Sequence, residues 1–387
     1  MKKVLFLLSM SLLVCCPVWS QDDEEEFPEE EPSGSPEEPR GIIINGLEYF
    51  FSSEKGWAYL RCNNSWDGEL VIPAEVEHDG VTYTVEGMSW KSFRDCKTLT
   101  KVTIPNTLTF FFKWGSYADF SPQWVPFVGC IALESIEVDE DNPWFCSVDG
   151  VMYTKTMTDL VCFPANSKLS TYTVPDGVKS IYEDAFAFNK NLISVTLPNT
   201  VSSMYSCFRG CTALESVILP QNLSVLLPYV FSDCKSLKSI EIPSGVTGVQ
   251  YCAFEGCSSL TVVDLPESVS YIEAAAFKDC SSLKTLVIRG YLKDDKISEQ
   301  WFGEKYFPQQ ATIYTLPEQI DKFKKYFTGT ILPLDMYQPE AESATSIQPA
   351  KADHPAGVST YDLQGRRLTQ KPVKGVYIEN GRKRVVK

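Results

Sequence analysis

Apolar residues recur through the middle of the chain in one frame, F-x-x-C-x-x-L-x-x-(V/I)-x-(L/I)-P. It reads FRDCKTLTKVTIP from Phe93, FRGCTALESVILP from Phe208, FSDCKSLKSIEIP from Phe231 and FEGCSSLTVVDLP from Phe254, and FKDCSSLKTLVIR from Phe277 keeps all but the proline. FVGCIALESIEV from Phe127 and FAFNKNLISVTLP from Phe186 are looser copies. A second phrase fills the interval before the next phenylalanine, as in SGVTGVQYCAF, ESVSYIEAAAF and DGVKSIYEDAF. Phenylalanines 186, 208, 231, 254 and 277 are spaced by 22, 23, 23 and 23 residues. The L-x-x-V-x-L phrase alternates apolar and polar and predicts a short strand, which the proline ends because it lacks a ladder donor. The second phrase predicts another extended segment leading into an Ala-Phe corner. The pattern therefore predicts a β-rich solenoid of about 23-residue coils. One coil offers too few apolar slots to offset ordering its backbone, at about 1–2 kcal/mol per residue, so each needs neighbours above and below.

The same pattern fixes an expectation for the cysteines. Cys96, Cys130, Cys211, Cys234, Cys257 and Cys280 share one slot of the frame, and Asn189 fills that slot in a looser copy. Asparagine replaces cysteine where a small side chain packs inward and bonds the corner backbone, whereas a disulfide or a zinc ligand would not tolerate the exchange. Stacked coils also give parallel Cβ vectors, poor geometry for a disulfide. With no C-x-x-C and only His78 and His354 as histidines, a zinc site has no support. A structural ladder is expected. Cys207 falls in the small slot before Phe208, while Cys62, Cys146, Cys162 and Cys252 lie outside the ladder, where a pair could be oxidised.

The periodic region has distinct flanks. Residues 1–20 have the form of a signal peptide, with Lys2 and Lys3 before VLFLLSMSLLV, a run too short to span a bilayer. Cleavage after Ser20 suits an ordinary signal peptidase, and LVCC offers a second route through lipidation of Cys16; either way the protein is exported, to the cell surface or the extracellular space. Residues 21–40 are an acidic, Pro-rich spacer expected to be disordered. Residues 41–90 are an N-terminal cap with a hairpin about Asp79-Gly80, beside which His78 is a solvated turn residue. The solenoid proper is 91–290, a C-terminal cap 291–337 has a last strand and a helix begun by Pro317, and 338–357 is a linker. Residues 358–387 alternate as three short strands, a small β module.

Charge narrows the partners. The formal net charge is −15, which argues against nucleic acid, and it is unevenly spread. Residues 22–40 carry ten carboxylates against one arginine, and 359–387 carry eight Lys or Arg against two acids. Two histidines, one in a hairpin and one in a linker, support no nucleophilic triad, and there is no phosphate loop or dinucleotide fingerprint. No cofactor is expected. DEDNPWFCSVDG lacks the oxygen spacing of a calcium loop. A carboxylate pair cleaving glycosides leaves no sequence spacing and stays open as a remote reading.

The repeat, with its L-x-x-I-x-I-P and A-F-x-x-C phrases over about residues 68–290, resembles the BspA-like leucine-rich repeat family of bacterial surface proteins. DNPWFCSVDGVMYTKTMTDLVCFPANSKLSTYTVP is similar to that family's hairpin-bearing repeat. The resemblance implies export and non-catalytic binding of protein ligands, adhesin-like, with glycan binding as the alternative; it names no ligand. The segment VSTYDLQGRRLTQKPVKGVYIENGRKRVVK resembles the end of a type IX secretion sorting tail over about thirty residues, far less than a full sorting domain.

Two candidate contact regions follow. The outward positions of the strand phrase form two rows. One is Lys101, Ser135, Ser194, Ser216, Ser239, Val262 and Thr285; the other is Thr103, Glu137, Thr196, Ile218, Glu241, Asp264 and Val287. Glu241 and Asp264 are the candidate ligand contacts on that face. The second region is the coil from Phe93 to Phe127, 34 residues long and crowded with aromatics. In it Phe110 and Phe112 are expected to fold inward, and Trp114, Tyr117 and Trp124 are candidates to face a ligand as an aromatic platform, against a buried plug as the competing reading.

Overall fold

The computed structural model describes residues 41–61, 65–89, 92–112, 125–293 and 297–339, with the backbone of strands at 360–361, 375–379 and 382–386. The expected signal peptide with Cys16, the spacer, the linker, Cys62, Trp114, Tyr117 and Trp124 lie outside the described residues.

The described residues open on six strands: β1 (Ile42–Ile44), β2 (Leu47–Ser52), β3 (Trp57–Leu60), β4 (Gly68–Val71), β5 (Glu75–His78) and β6 (Val81–Ser89). One sheet runs β1-β2-β3-β6-β5, and β8 (Phe110–Phe112) joins it beside β6. Its two-residue turns are Asn45-Gly46 and Asp79-Gly80, each with positive φ at both residues, the backbone that tight hairpins need. His78 sits beside the second turn with its ring stacked 4.8 Å from Phe51.

From β4 onward the strand phrases stack in parallel. Strand β4 pairs β7 (Leu99–Ile104), which pairs β9 (Ser135–Val138). Further along, Thr171–Thr173, Ser194–Thr196 and Ser216–Ile218 form a second parallel set. Val262–Leu265, Thr285–Ile288, Thr312–Thr315 and Thr330–Pro333 form a third. The parallel ladder thus runs past residue 290, and the 3-10 turn begun by Pro317 leads into a short helix, Ile320–Phe323, between its last two strands. The second phrase supplies another ladder, in which Asp159–Cys162, Ser180–Ile181 and Ser203–Met204 pair in parallel. The hairpin-bearing repeat is a meander of Phe145–Val148, Val151–Thr154 and Asp159–Cys162.

The core is a column of phenylalanines between these ladders. Phe186, Phe208, Phe231, Phe254 and Phe277 are buried, with neighbouring rings 5.0, 5.6, 5.5 and 5.5 Å apart and near-parallel. Ring spacing follows coil spacing, because parallel strands about 4.8 Å apart carry the same slot upward. No described helix is long and apolar enough to cross a membrane.

Three expectations are corrected. Phe111, not its neighbours, points inward: it is buried and stacks 5.1 Å from Phe145, while Phe110 is half-buried on the other face near Tyr59. The parity is set by β6, where Gly87 stands opposite Phe110 and a Cβ there would lie 2.6 Å from its ring. Only the backbone of Phe112 is described. The outward row is not outward throughout, since Val287 is buried between Asp264 and Tyr314 in register, where Tyr337 folds back 5.1 Å from Tyr314. Finally, Leu237–Ile242 forms no regular strand, although it matches the phrase as well as its neighbours. Its Glu241 follows Ile218 and precedes Asp264 in the row, placing an apolar side chain on one side and a like charge on the other.

Candidate functional site

The corner of each coil is built from the frame residues. The ladder cysteines are buried, and those after Cys96 donate their S–H to the phenylalanine carbonyl of the preceding coil: Cys211 to Phe186 O, Cys234 to Phe208 O, Cys257 to Phe231 O and Cys280 to Phe254 O, all at 3.1 Å. Cys130 reaches Phe93 O at 2.9 Å, and Cys96 at the base of the column bonds Trp66 O at 3.1 Å. Asn189 takes the slot with a different set, donating to Pro164 O at 3.0 Å and accepting from Asn191 N and Leu192 N at 3.0 and 2.7 Å. In the cysteine coils that leucine N–H goes to the cysteine's own carbonyl, as Leu214 N to Cys211 O at 3.1 Å. All ten described cysteines, Cys146, Cys162 and Cys252 among them, are free and buried. Asn142 repeats the asparagine device, donating to Pro105 O and Leu108 O and accepting from Trp144 N and Phe145 N, all within 2.9 Å. No residue of the repeat frame announces it.

From Phe186 to Phe277 two αL residues flank each frame phenylalanine, one two before it and one two after, as with Cys252 and Gly256 about Phe254. They turn the chain sharply and push the residue three before the phenylalanine outward. That position, or the next, carries Tyr205, Tyr229 and Tyr251 in successive coils. Tyr205 is 37% exposed and Tyr251 41%, and the rings of Tyr229 and Tyr251 meet edge to face at 5.4 Å. Beneath this pair the Glu255 carboxylate accepts from Lys278 Nζ at 2.8 Å. Burial is the main cause holding the Tyr229, Tyr251 and Cys252 protons above their ordinary range. The Tyr251 N–H donates to Glu273 Oε2 at 2.9 Å. Tyr229 and Tyr251 are therefore packed ring against ring, with the Tyr251 backbone held by a carboxylate of the next coil. The signal of this corner ridge in the sequence is an aromatic residue just before the corner in three successive coils, lying outside the repeat frame.

The strand face offers less. Asp264 is forked by Arg289, Nε to Oδ1 at 2.6 Å and Nη2 to Oδ2 at 2.7 Å, and the guanidinium stands 5.8 Å over Tyr337. It is a tether for the returning chain instead of an open acid. Glu241 is exposed beside a shallow cavity of about 110 Å³ lined by Ile218, Leu219 and Gln221. The two acids lie in one row but do not act together. Among the described residues no group of three or more His, Cys, Asp or Glu could hold a metal ion.

A third surface lies at the N-terminal end, a groove of about 330 Å³ lined by Ile44, Leu47, Tyr49, Trp66, Val71 and Val76 with Glu75 and Glu77 at its rim.

The repeat matches a known family model. The BspA type leucine rich repeat region matches in 6 copies, over residues 156–284 and 204–327. No curated protein matches. Among solved structures, the chain is similar to a leucine rich cell surface protein of Faecalibacterium prausnitzii, at 21% identity and TM-score 0.40, covering 66% of this chain and 95% of that one. It is also similar to a leucine-rich repeat protein of Bacteroides ovatus, at 21% identity and TM-score 0.43, over 71% and 70% of the two chains. A third is the pneumococcal vaccine antigen PcpA, at 16% identity and TM-score 0.38, over 76% and 98%.

Proposed function

We propose, from the match of residues 156–284 and 204–327 to the BspA type leucine rich repeat region, that this chain is an exported, non-catalytic protein of the bacterial surface that binds a protein ligand, adhesin-like, through its corner ridge. No enzyme family is indicated by the family match. The observation that carries the reading is the run of partly exposed Tyr205, Tyr229 and Tyr251 along three stacked corners, with Tyr229 and Tyr251 packed on each other and the Tyr251 N–H held by Glu273. Aromatic side chains supply large contact area at small entropic cost and dominate protein interfaces. A surface built on stacked coils stays in place without a partner, so little ordering is left to oppose binding. Trp114, Tyr117 and Trp124 stay with the glycan alternative, as an aromatic platform proposed from sequence alone. Export would follow either cleavage after Ser20 or lipidation at Cys16, and N-terminal sequencing of the exported chain separates the two.

The test compares the native chain with Tyr205→Ala/Tyr251→Ala on a panel of immobilised host-matrix proteins beside a glycan array. The variant is expected to lose about tenfold or more in affinity for the protein bound, a change of about 1.4 kcal/mol, while keeping its melting temperature within a few degrees. Unaltered protein binding by the folded variant removes the ridge from consideration. Binding confined to the glycan array, and lost on replacing Trp114, Tyr117 and Trp124 with alanine, would move the site to the insertion.

A further inference from the structure

Strand β5 ends its sheet, with β6 as its neighbour on one side and no strand on the other among the described residues. The register shows which backbone groups are left over. Val85 N–H donates to Ala74 O at 2.9 Å, while Thr84 N–H turns the other way, to Gly56 O at 3.0 Å. Bonded pairs in an antiparallel ladder alternate, so they fall on Val76–Tyr83 and His78–Val81. The N–H and C=O groups of Glu75 and Glu77 therefore point away from β6, into the rim of the N-terminal groove. Both glutamates are exposed, as are Asp67, Glu69 and Asp79 nearby, and no Lys or Arg lines the groove. An open strand edge bearing carboxylates beside an apolar trough is a receptor for a basic strand.

The chain carries such a strand. Arg382–Val386, sequence RKRVV, is the outer strand of the three-stranded set near the C-terminus, paired among the described residues only to Gly375–Glu379. Its five residues span the length of the four in β5, and three of them are cationic. We propose that β5 of one copy accepts the Arg382–Val386 strand of a second copy, edge to edge, so that the chains associate head to tail. Main-chain hydrogen bonds from Glu75 and Glu77 would carry the contact, and opposed charges across the new strand pair would set its partner. The two joined surfaces differ, so the association is heterologous and closes into a ring or continues as a chain. The inference does not rest on the tyrosine ridge.

Sedimentation velocity of the native chain over a concentration series tests it. The expected result is concentration-dependent association that weakens with salt. Glu75→Lys/Glu77→Lys has two basic ends and Arg382→Glu/Arg384→Glu two acidic ones. Each alone is expected to raise the dissociation constant by roughly tenfold or more, and mixing the two restores association. Circular dichroism matching the native chain shows that each variant is folded. A native chain that stays monomeric, variants that associate as the native chain does, or a mixture that fails to associate would each overturn the proposal.

Discussion

A thiol that bonds a carbonyl in the coil before it must keep its proton to do so. Burial is the first cause pushing Cys130, Cys211 and Cys280 from the ordinary value of 9.0 up to about 12, with Cys207, Cys234 and Cys257 also raised. Between pH 9 and 12 the folded chain holds protons that the unfolded chain has released. Stability is therefore undiminished by these groups below pH 9 and falls as pH rises beyond it, by about 1.4 kcal/mol per unit for each such thiol. Urea midpoints at pH 8 and pH 10 should show the drop, and Cys211→Ala should show a smaller one. At pH 8 a thiol reagent should find the native ladder nearly inert and the denatured chain fully reactive; native reactivity matching the denatured rate would refute the assignment. The slot was legible from its cysteine-to-asparagine exchange. Its bonds were not, because Asn189 satisfies the corner with a side-chain oxygen where cysteine coils use a main-chain carbonyl.

Elements were legible wherever their partners lie one period away. Ser194–Thr196 pairs with Ser216–Ile218 because both occupy the same phrase, and the periodicity of the phrase states that register. Phe110–Phe112 pairs with β6, outside the frame, so its parity depended on Gly87 and could not be read locally. Asp264 was visible as an outward acid, but Arg289 answers it across a coil boundary. The missing strand at Leu237–Ile242 has the same origin: its phrase is regular, and its neighbours Ile218 and Asp264 are not good partners for Glu241. The ladder is held there by Lys238 N to Glu215 O at 3.5 Å and Thr261 N to Lys238 O at 3.2 Å. Amide exchange measured residue by residue should accordingly be fastest within the stack at Ile240–Ile242. Protection there equal to that at Val195 or Val263 would show that the outward ladder is continuous in solution.

A stack of coils is held together only by adjacent contacts, so its cooperativity is as strong as its weakest junction. Around residues 239–242 the outward sheet is interrupted, and the burden passes to the corner column, where Phe231 stands 5.6 Å from Phe208 and 5.5 Å from Phe254. Leu226 and Val249 add a single bridge on the second ladder. Deleting the Phe231 ring should cost about 3–5 kcal/mol, as for other large-to-small changes in a core. More informatively, it should uncouple the coils before it from those after it. The tryptophans report on the two sides separately, since seven of the eight, Trp57, Trp66 and Trp144 among them, precede the junction and Trp301 is the one that follows it. In the native chain, urea should move the fluorescence of the early tryptophans and of Trp301 together, the latter read by difference from Trp301→Phe. In Phe231→Ala the two transitions should separate. A single coincident transition, shifted but undivided, would mean that coupling across the junction does not run through the phenylalanine column.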